Sequence, residues 1–248
     1  MTLSNVIAFD IETIPDVEFG RRLHGLEGLT DKQVGYVMQT RQREQTGTEF
    51  LSLEQHRVVA ISVAVRTGDG FEAWSLGEPG SGEAELVRRF YDGIERYTPT
   101  LVSWNGSGFD LPVLHYRALR HSVQAHRYWQ MGDHWRHIDL MDVLAGFQGR
   151  GRVGLDSMAQ LLGLPGKLGM SGEGVWEAHL EGRVEGIRNY CETDVINTYL
   201  VYLRFELVRG RLTHEEHERE CAAVRSWLGK AGAPHLDEFL RAWTAGAG

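Results

Sequence analysis

The segment Asn5–Ile14, NVIAFDIETI, constrains the chain most, because it sets two acids inside an otherwise apolar run. As a strand it would be buried, with Val6, Ala8, Asp10 and Glu12 on one face and Ile7, Phe9 and Ile11 on the other. Residues i and i+2 point the same way, so Asp10 and Glu12 project together about 6–7 Å apart. Two like charges in such surroundings are costly unless solvent or cations compensate them. The competing arrangement is a strand that ends at Phe9 and leaves both acids in water.

The rest of the chain supplies a sheet for this strand. Val58–Arg66 and Phe71–Leu76 are strand-like runs joined by Thr67-Gly68-Asp69-Gly70, a hairpin signal. Leu86, Val87, Phe90, Ile94 and Tyr97 at helical spacing predict a helix over Glu83–Tyr97. Leu101–Trp104 predicts a short strand, Leu111–Leu119 a helix with Pro112 in its first turn, and His137–Leu140 a further strand. Leu155–Leu162 predicts a helix, residues 163–174 a glycine-rich loop, and Val184–Val208 a long helix. His214–Leu228 and His235–Trp243 predict two more helices, and residues 16–55 are polar and helix-prone. A hairpin followed by alternating helices and strands predicts an α/β class, a mixed sheet covered by helices. With 248 residues, 42% apolar and 24% charged, the chain can build a sizeable core and is not disordered. The expected organisation is one domain over 1–210 and a helical extension over 211–248.

Two further segments carry acids. Asn105-Gly106-Ser107-Gly108-Phe109-Asp110-Leu111-Pro112 passes from a strand end through a tight turn into a helix, a usual place for functional groups in α/β proteins. Helix capping is the competing role for Asp110, although a helix beginning at Pro112 would put the cap on Leu111. In Tyr190-Cys191-Glu192-Thr193-Asp194, Tyr190 and Asp194 are i and i+4 on one face of the long helix. That face also carries Ile187, Val195 and Val201, so Asp194 points inward and needs a partner. A structural contact with Tyr190 or an arginine is the plainer alternative. Four converging carboxylates would repel one another, and divalent cations are the natural compensation. Oxygen-only ligands suit Mg²⁺ or Mn²⁺, and two ions about 3.5–4 Å apart are the usual device for attack on a phosphodiester.

In this order FDIET (9–13), NGSGFDLP (105–112) and YCETD (190–194) resemble the three exonuclease motifs of the DEDD superfamily, tyrosine subtype. More closely, the chain resembles the predicted 3′–5′ exonucleases related to the proofreading domain of family B DNA polymerases. HRVVAISVA (56–64), HIDLMDVL (137–144), LGLPGK (162–167), GMSGEGVWE (169–177) and YCETDVINTYLVYLRF (190–205) share that likeness. It spans roughly residues 5–208; residues 211–248 hold no assignable motif, and 16–55 is weakly diagnostic. The resemblance implies a ribonuclease H-like fold with a mixed five-stranded sheet flanked by helices. It implies that Asp10, Glu12, Asp110 and Asp194 hold two Mg²⁺ or Mn²⁺ ions. Asp10 would bridge both, Glu12 and Asp194 would complete the one that holds the attacking water, and Asp110 would hold the second. Tyr190 would orient the water, since a phenol with a pKa of about 10 is a poor free base at neutral pH. The implied activity is 3′–5′ hydrolysis of single-stranded DNA to nucleoside 5′-monophosphates. RNA is the rival substrate, and a noncatalytic nucleic-acid-binding module the rival class.

Weaker signals flank the acids. Thr13, Asn105 and Phe109 can touch the terminal nucleotide, with core packing the competing role for Phe109. Lys167, in the glycine-rich loop, can reach phosphate or simply face solvent. The histidines and arginines of residues 115–137 can line a nucleic-acid groove or form a solvated face. His134 and His137 lack the acid of a zinc signature, and there is no CxxC. Cys191 and Cys221 are too few for a disulfide framework, and Cys191 is expected to serve packing. The N-terminal run lacks a basic leader, and no window reaches the roughly 18–20 apolar residues of a membrane span. The expectation is a cytoplasmic protein; protein partners are not assigned, and the C-terminal helices are either a docking element or a cap on the core. The formal charge of −8 argues against nonspecific coating of nucleic acid. Two bound divalent cations would halve it, and local basic strips would then attract the strand.

Overall fold

The computed structural model describes residues 5–130 and 137–246. Five strands form one sheet in the order β3-β2-β1-β4-β5: β1 (Val6–Pro15), β2 (His56–Thr67), β3 (Gly70–Ser75), β4 (Thr100–Ser103) and β5 (His137–Asp139). β1, β2 and β3 run antiparallel in succession, and β4 and β5 are added in parallel beyond β1. This is the α/β class with a mixed five-stranded sheet that the sequence implies. The hairpin loop between β2 and β3 falls at Gly68-Asp69, as its turn chemistry predicts.

Eleven helices surround the sheet among the described residues: α1 (Val17–His24), α2 (Asp31–Thr46), α3 (Glu83–Tyr97), α4 (Asp110–His121), α5 (His126–Gln130), α6 (Leu140–Leu144), α7 (Leu155–Leu161), α8 (Val175–Leu180), α9 (Val184–Val208), α10 (His214–Ala231) and α11 (Pro234–Gly246). The alternation of β1 decides which pack where. Ile7, Phe9 and Ile11 meet Leu86, Phe90 and Ile94 of α3 and Val113 and Leu114 of α4. Val6 and Ala8 face the opposite layer, where Val195, Tyr199 and Leu203 of α9 close the core. Asp10 and Glu12 continue that α9-facing row.

Two irregularities interrupt the sheet beside these acids. β4 pairs with β1 only over Val6–Ala8, so the second half of β1 runs past the end of its parallel neighbour. On the other side Glu12 lies opposite Ala60 but Thr13 opposite Val58, so β2 carries one extra residue, Val59, at that step. Ala60 thereby faces α9 while Val58 faces the α3–α4 layer.

α10 and α11 pack against the sheet layer that faces α9. Leu212, Val224, Leu228, Leu236, Phe239 and Trp243 share one apolar cluster with Val6, Ala8 and Tyr199. Arg66 at the end of β2 grips Glu220 of α10 with two hydrogen bonds, of 2.7 and 3.0 Å. No described helix is long and apolar enough to cross a membrane.

Three expectations are corrected. α4 starts at Asp110 with Phe109 at its cap, so Pro112 is its third residue and the cap does not fall on Leu111. Proline is tolerated there because first-turn amides lack intrahelical acceptors. α5, α6 and α8 lie where no helix is expected, because five or six residues are too few to display a period. Arg117, counted in the basic strip, is 3% exposed and bonded to Asp16 and Glu83, so it faces neither a groove nor solvent. His134 and Arg136 lie outside the described residues.

Candidate active site

The three acidic segments meet at the open end of β1. Asp10 and Glu12 come from the strand itself. Asp110 arrives at the start of α4, and its Oδ1 accepts the Ile11 amide at 3.1 Å, on the edge that β4 has vacated. A carboxylate thus replaces the missing strand partner and locks the second motif to the first. Asp194 and Tyr190 come from α9, one helical turn apart, both buried against the same layer.

A tight turn aims Asp110. The Asn105 carbonyl accepts the amides of Gly108 and Phe109, both at 3.0 Å. Asn105 takes a left-handed φ of 66°, which asparagine tolerates. At Gly106 a Cβ would lie 2.3 Å from Ser103 Oγ, so only glycine fits between the turn and the strand end. Asp139, at the end of β5, accepts the amides of Asn105 at 2.9 Å and Ser107 at 2.8 Å while capping α6. The sequence reading gave Asp139 no role. Its signal was an acid at a strand end directly before a helix start, the pattern already used for Asp110.

Burial and mutual repulsion dominate the electrostatics. Desolvation pushes the Asp10 carboxyl well above the usual carboxylate range, and Asp110, Glu12 and Asp194 add to the rise. Glu12 is raised for the same reasons, with Lys167 opposing. Asp110 is pushed up to about 7 and Asp194 to about 6, each mainly by burial. Asp194 is only 6% exposed, and its Oδ1 has no hydrogen-bond partner. Tyr190 hydrogen-bonds the carboxylate and the Lys167 charge favours its ionised form, but a buried carboxylate oxygen left unpaired is rare unless something else supplies positive charge. The oxygen donors of Asp10, Glu12, Asp110 and Asp194 therefore fit hard divalent cations. Ligand atoms of Asp10, Glu12 and Cys191 lie within 4.8 Å of one another. Asp110 and Asp194 stand outside that trio but near enough for their charge to be felt by Asp10 and Glu12.

Tyr190 is buried, and desolvation followed by the nearby Asp194 charge raises its phenol above the ordinary value. It stays protonated and can orient a neighbouring group but not act as a free base. The Lys167 ammonium sits 5.7 Å above the Tyr190 ring. Its loop is pinned from two sides: Asp156 Oδ1 accepts the Lys167 amide at 2.8 Å, and Asn197 Nδ2 donates to the Gly166 carbonyl at 2.9 Å. Gly166 has a φ of +67°, and a Cβ there would fall 2.5 Å from Asp156. Glycine chemistry thus folds the loop so that an exposed lysine stands over the acids.

The remaining flanking residues divide. The Thr13 hydroxyl turns to His56 Nδ1 at 2.8 Å, and His56 Nε2 donates to the Leu51 carbonyl at 3.2 Å. Burial lowers the His56 pKa and so favours the neutral ring, in which Nδ1 accepts from the Thr13 hydroxyl. Asn105 serves the turn through its main chain. Phe109 packs partly on the α3–α4 core and partly in an aromatic rim, 5.0 Å from His56 and 5.5 Å from Phe50 by ring centroids. Phe50, 56% exposed, escaped the sequence reading because it lies in a polar stretch with no pattern of its own.

A family model described as a predicted 3′–5′ exonuclease related to the exonuclease domain of PolB matches residues 48–243. The match takes in Asp110, Lys167, Tyr190 and Asp194 and begins after the strand that holds Asp10 and Glu12. No curated protein matches the chain.

Proposed function

We propose that this chain, which belongs to the family of predicted 3′–5′ exonucleases related to the exonuclease domain of PolB, removes nucleotides from the 3′ end of single-stranded DNA as nucleoside 5′-monophosphates. The observation that carries the reading is the meeting of Asp10, Glu12, Asp110 and Asp194 from three separate segments, with a buried Asp194 oxygen left unpaired. Those four residues would hold two Mg²⁺ or Mn²⁺ ions, which when bound supply Lewis-acid polarisation of the phosphodiester and a lowered pKa for water. The protein's own groups do the rest. Tyr190, fixed as a phenol, orients the attacking water. Lys167 draws the phosphate toward the acids and offsets their repulsion. Phe109 with Phe50 offers stacking faces to an unpaired base, which favours single strands. Thr13, held by His56, and Asn105 border the terminal nucleotide. No motif in the chain reads a 2′-hydroxyl, so RNA is the rival substrate at the same site.

The test is end-labelled single-stranded DNA, RNA and duplex incubated with Mn²⁺ or Mg²⁺, using wild type, Asp10→Ala and Tyr190→Phe. Wild type should shorten single-stranded DNA stepwise from its 3′ end, and Asp10→Ala should not. Tyr190→Phe should lower kcat about 10²-fold, with the pH profile unchanged because the phenol does not titrate in the working range. Equal behaviour of wild type and Asp10→Ala on every substrate would sink the reading. Preferential shortening of RNA would replace the substrate and keep the site.

A further inference from the structure

We propose that Cys191 turns the acid cluster into a mixed oxygen–sulfur site, able to take one thiophilic divalent ion such as Zn²⁺ or Cd²⁺ through Asp10, Glu12 and the Cys191 sulfur, and inhibited by it. The proposal rests on the acids being the metal site. Buried cysteines are often simple core filler, and sequence alone supports no more than that here. Cys191 packs in the apolar cluster of Ile14, Ala60, Val175 and Ile187, yet its sulfur also meets the acids. Its Sγ lies 3.4 Å from Asp10 Oδ2 and 3.4 Å from the Asp10 carbonyl, facing polar atoms. One ligand atom each from Asp10, Glu12 and Cys191 falls within 4.8 Å of the others. Small side-chain rotations would bring such a trio to the Zn–S distance of about 2.3 Å and Zn–O distances of about 2.0–2.2 Å.

Asp194 is the independent sign that a cation belongs here. Its carboxylate is buried, its Oδ1 has no partner, and its charge acts on both Asp10 and Glu12. An incoming soft ion would find a thiol and two carboxylates around it and a further carboxylate at its side. As the sulfur–metal bond forms, the S–H bond breaks and its proton passes to solvent; no electrons are transferred. A hard ion such as Mg²⁺ has no use for sulfur and leaves the thiol protonated, so one pocket sorts ions by softness.

The chain holds only two cysteines, Cys191 and Cys221, which makes the test direct. In the 248-residue chain carrying Cys221→Ser, Cys191 is the sole thiol. Titrating that metal-free protein with Cd²⁺ should produce the ultraviolet cadmium–thiolate charge-transfer band at one equivalent, with release of one thiol proton. Zn²⁺ should abolish Mn²⁺-supported hydrolysis at that same stoichiometry. Loss of the band in Cys191→Ser completes the expected pattern. No band in Cys221→Ser, while Mn²⁺ still binds and Asp10→Ala abolishes that binding, overturns the inference and leaves the metal-site reading intact. Failure of both Mn²⁺ and Cd²⁺ to bind overturns both.

Discussion

At the scale of single residues, the dominant fact is that four carboxylates share a space with little solvent and one nearby ammonium. Their raised pKa values have a consequence for stability. An unfolded aspartate titrates near 3.9, whereas Asp194 and Asp110 in the folded chain are pushed up to about 6 and about 7. Between those limits the folded state binds more protons than the unfolded one, so stability falls as pH rises. The metal-free protein should therefore melt several degrees lower at pH 8 than at pH 5.5. Mn²⁺ should raise the melting temperature at pH 8 far more than at pH 5.5, because it binds the ionised carboxylates. Thermal scans at both pH values with and without chelator check this; a metal-free melting temperature that climbs with pH would contradict it.

At the scale of elements, the site is a set of anchored ends. α4 is tied at its far end as firmly as Asp110 ties it at the start. Arg117 donates to Asp16, which follows β1, and to Glu83 at the head of α3, and Glu83 in turn accepts the Val58 amide at 2.6 Å. Arg117→Ala would leave Asp16 with the Phe19 amide and the more distant Arg120, and Glu83 with the Val58 amide and His121, removing the guanidinium that both buried carboxylates share, which costs about 3–5 kcal/mol. Chemical denaturation should show that loss, and a change below about 1 kcal/mol would mean the network is not what holds the helix. The basic character of residues 115–137 was legible in the sequence, but its use was not. The acids that consume Arg117 lie 101 and 34 residues away and meet it only after β1 and α3 are in place. The long elements were legible because β1, β2, α3 and α9 each repeat their period several times. The fragments α5, α6 and α8 do not.

At the scale of the whole molecule, the C-terminal helices finish the core. α10 and α11 cover the layer formed by Tyr199, Leu203 and Phe71, and Glu220 pairs with an Arg66 that is itself largely buried. A chain ending at residue 210 would expose that apolar surface and leave the arginine without its partner. It should lose its cooperative unfolding transition and bind hydrophobic dye, in contrast to the full chain. A sharp, full-amplitude melt of the 1–210 fragment would show that the sheet needs no such cover.

The sequence by itself determined the elements and the acids. An apolar run broken by Asp10 and Glu12, a turn leading to Asp110 and a helix face bearing Tyr190 and Asp194 are local patterns, each visible within a dozen residues. The architecture followed from their order along the chain. Tertiary structure alone decided how the acids are held and what stands beside them. The hydrogen bond from Ile11 to Asp110, the Asp139 clasp on the 105–107 turn, the thiol against Asp10 and the aromatic rim of Phe50 and His56 join residues far apart in sequence. Such contacts exist only once the sheet register and the helix docking have closed the distance, and no local periodicity encodes them.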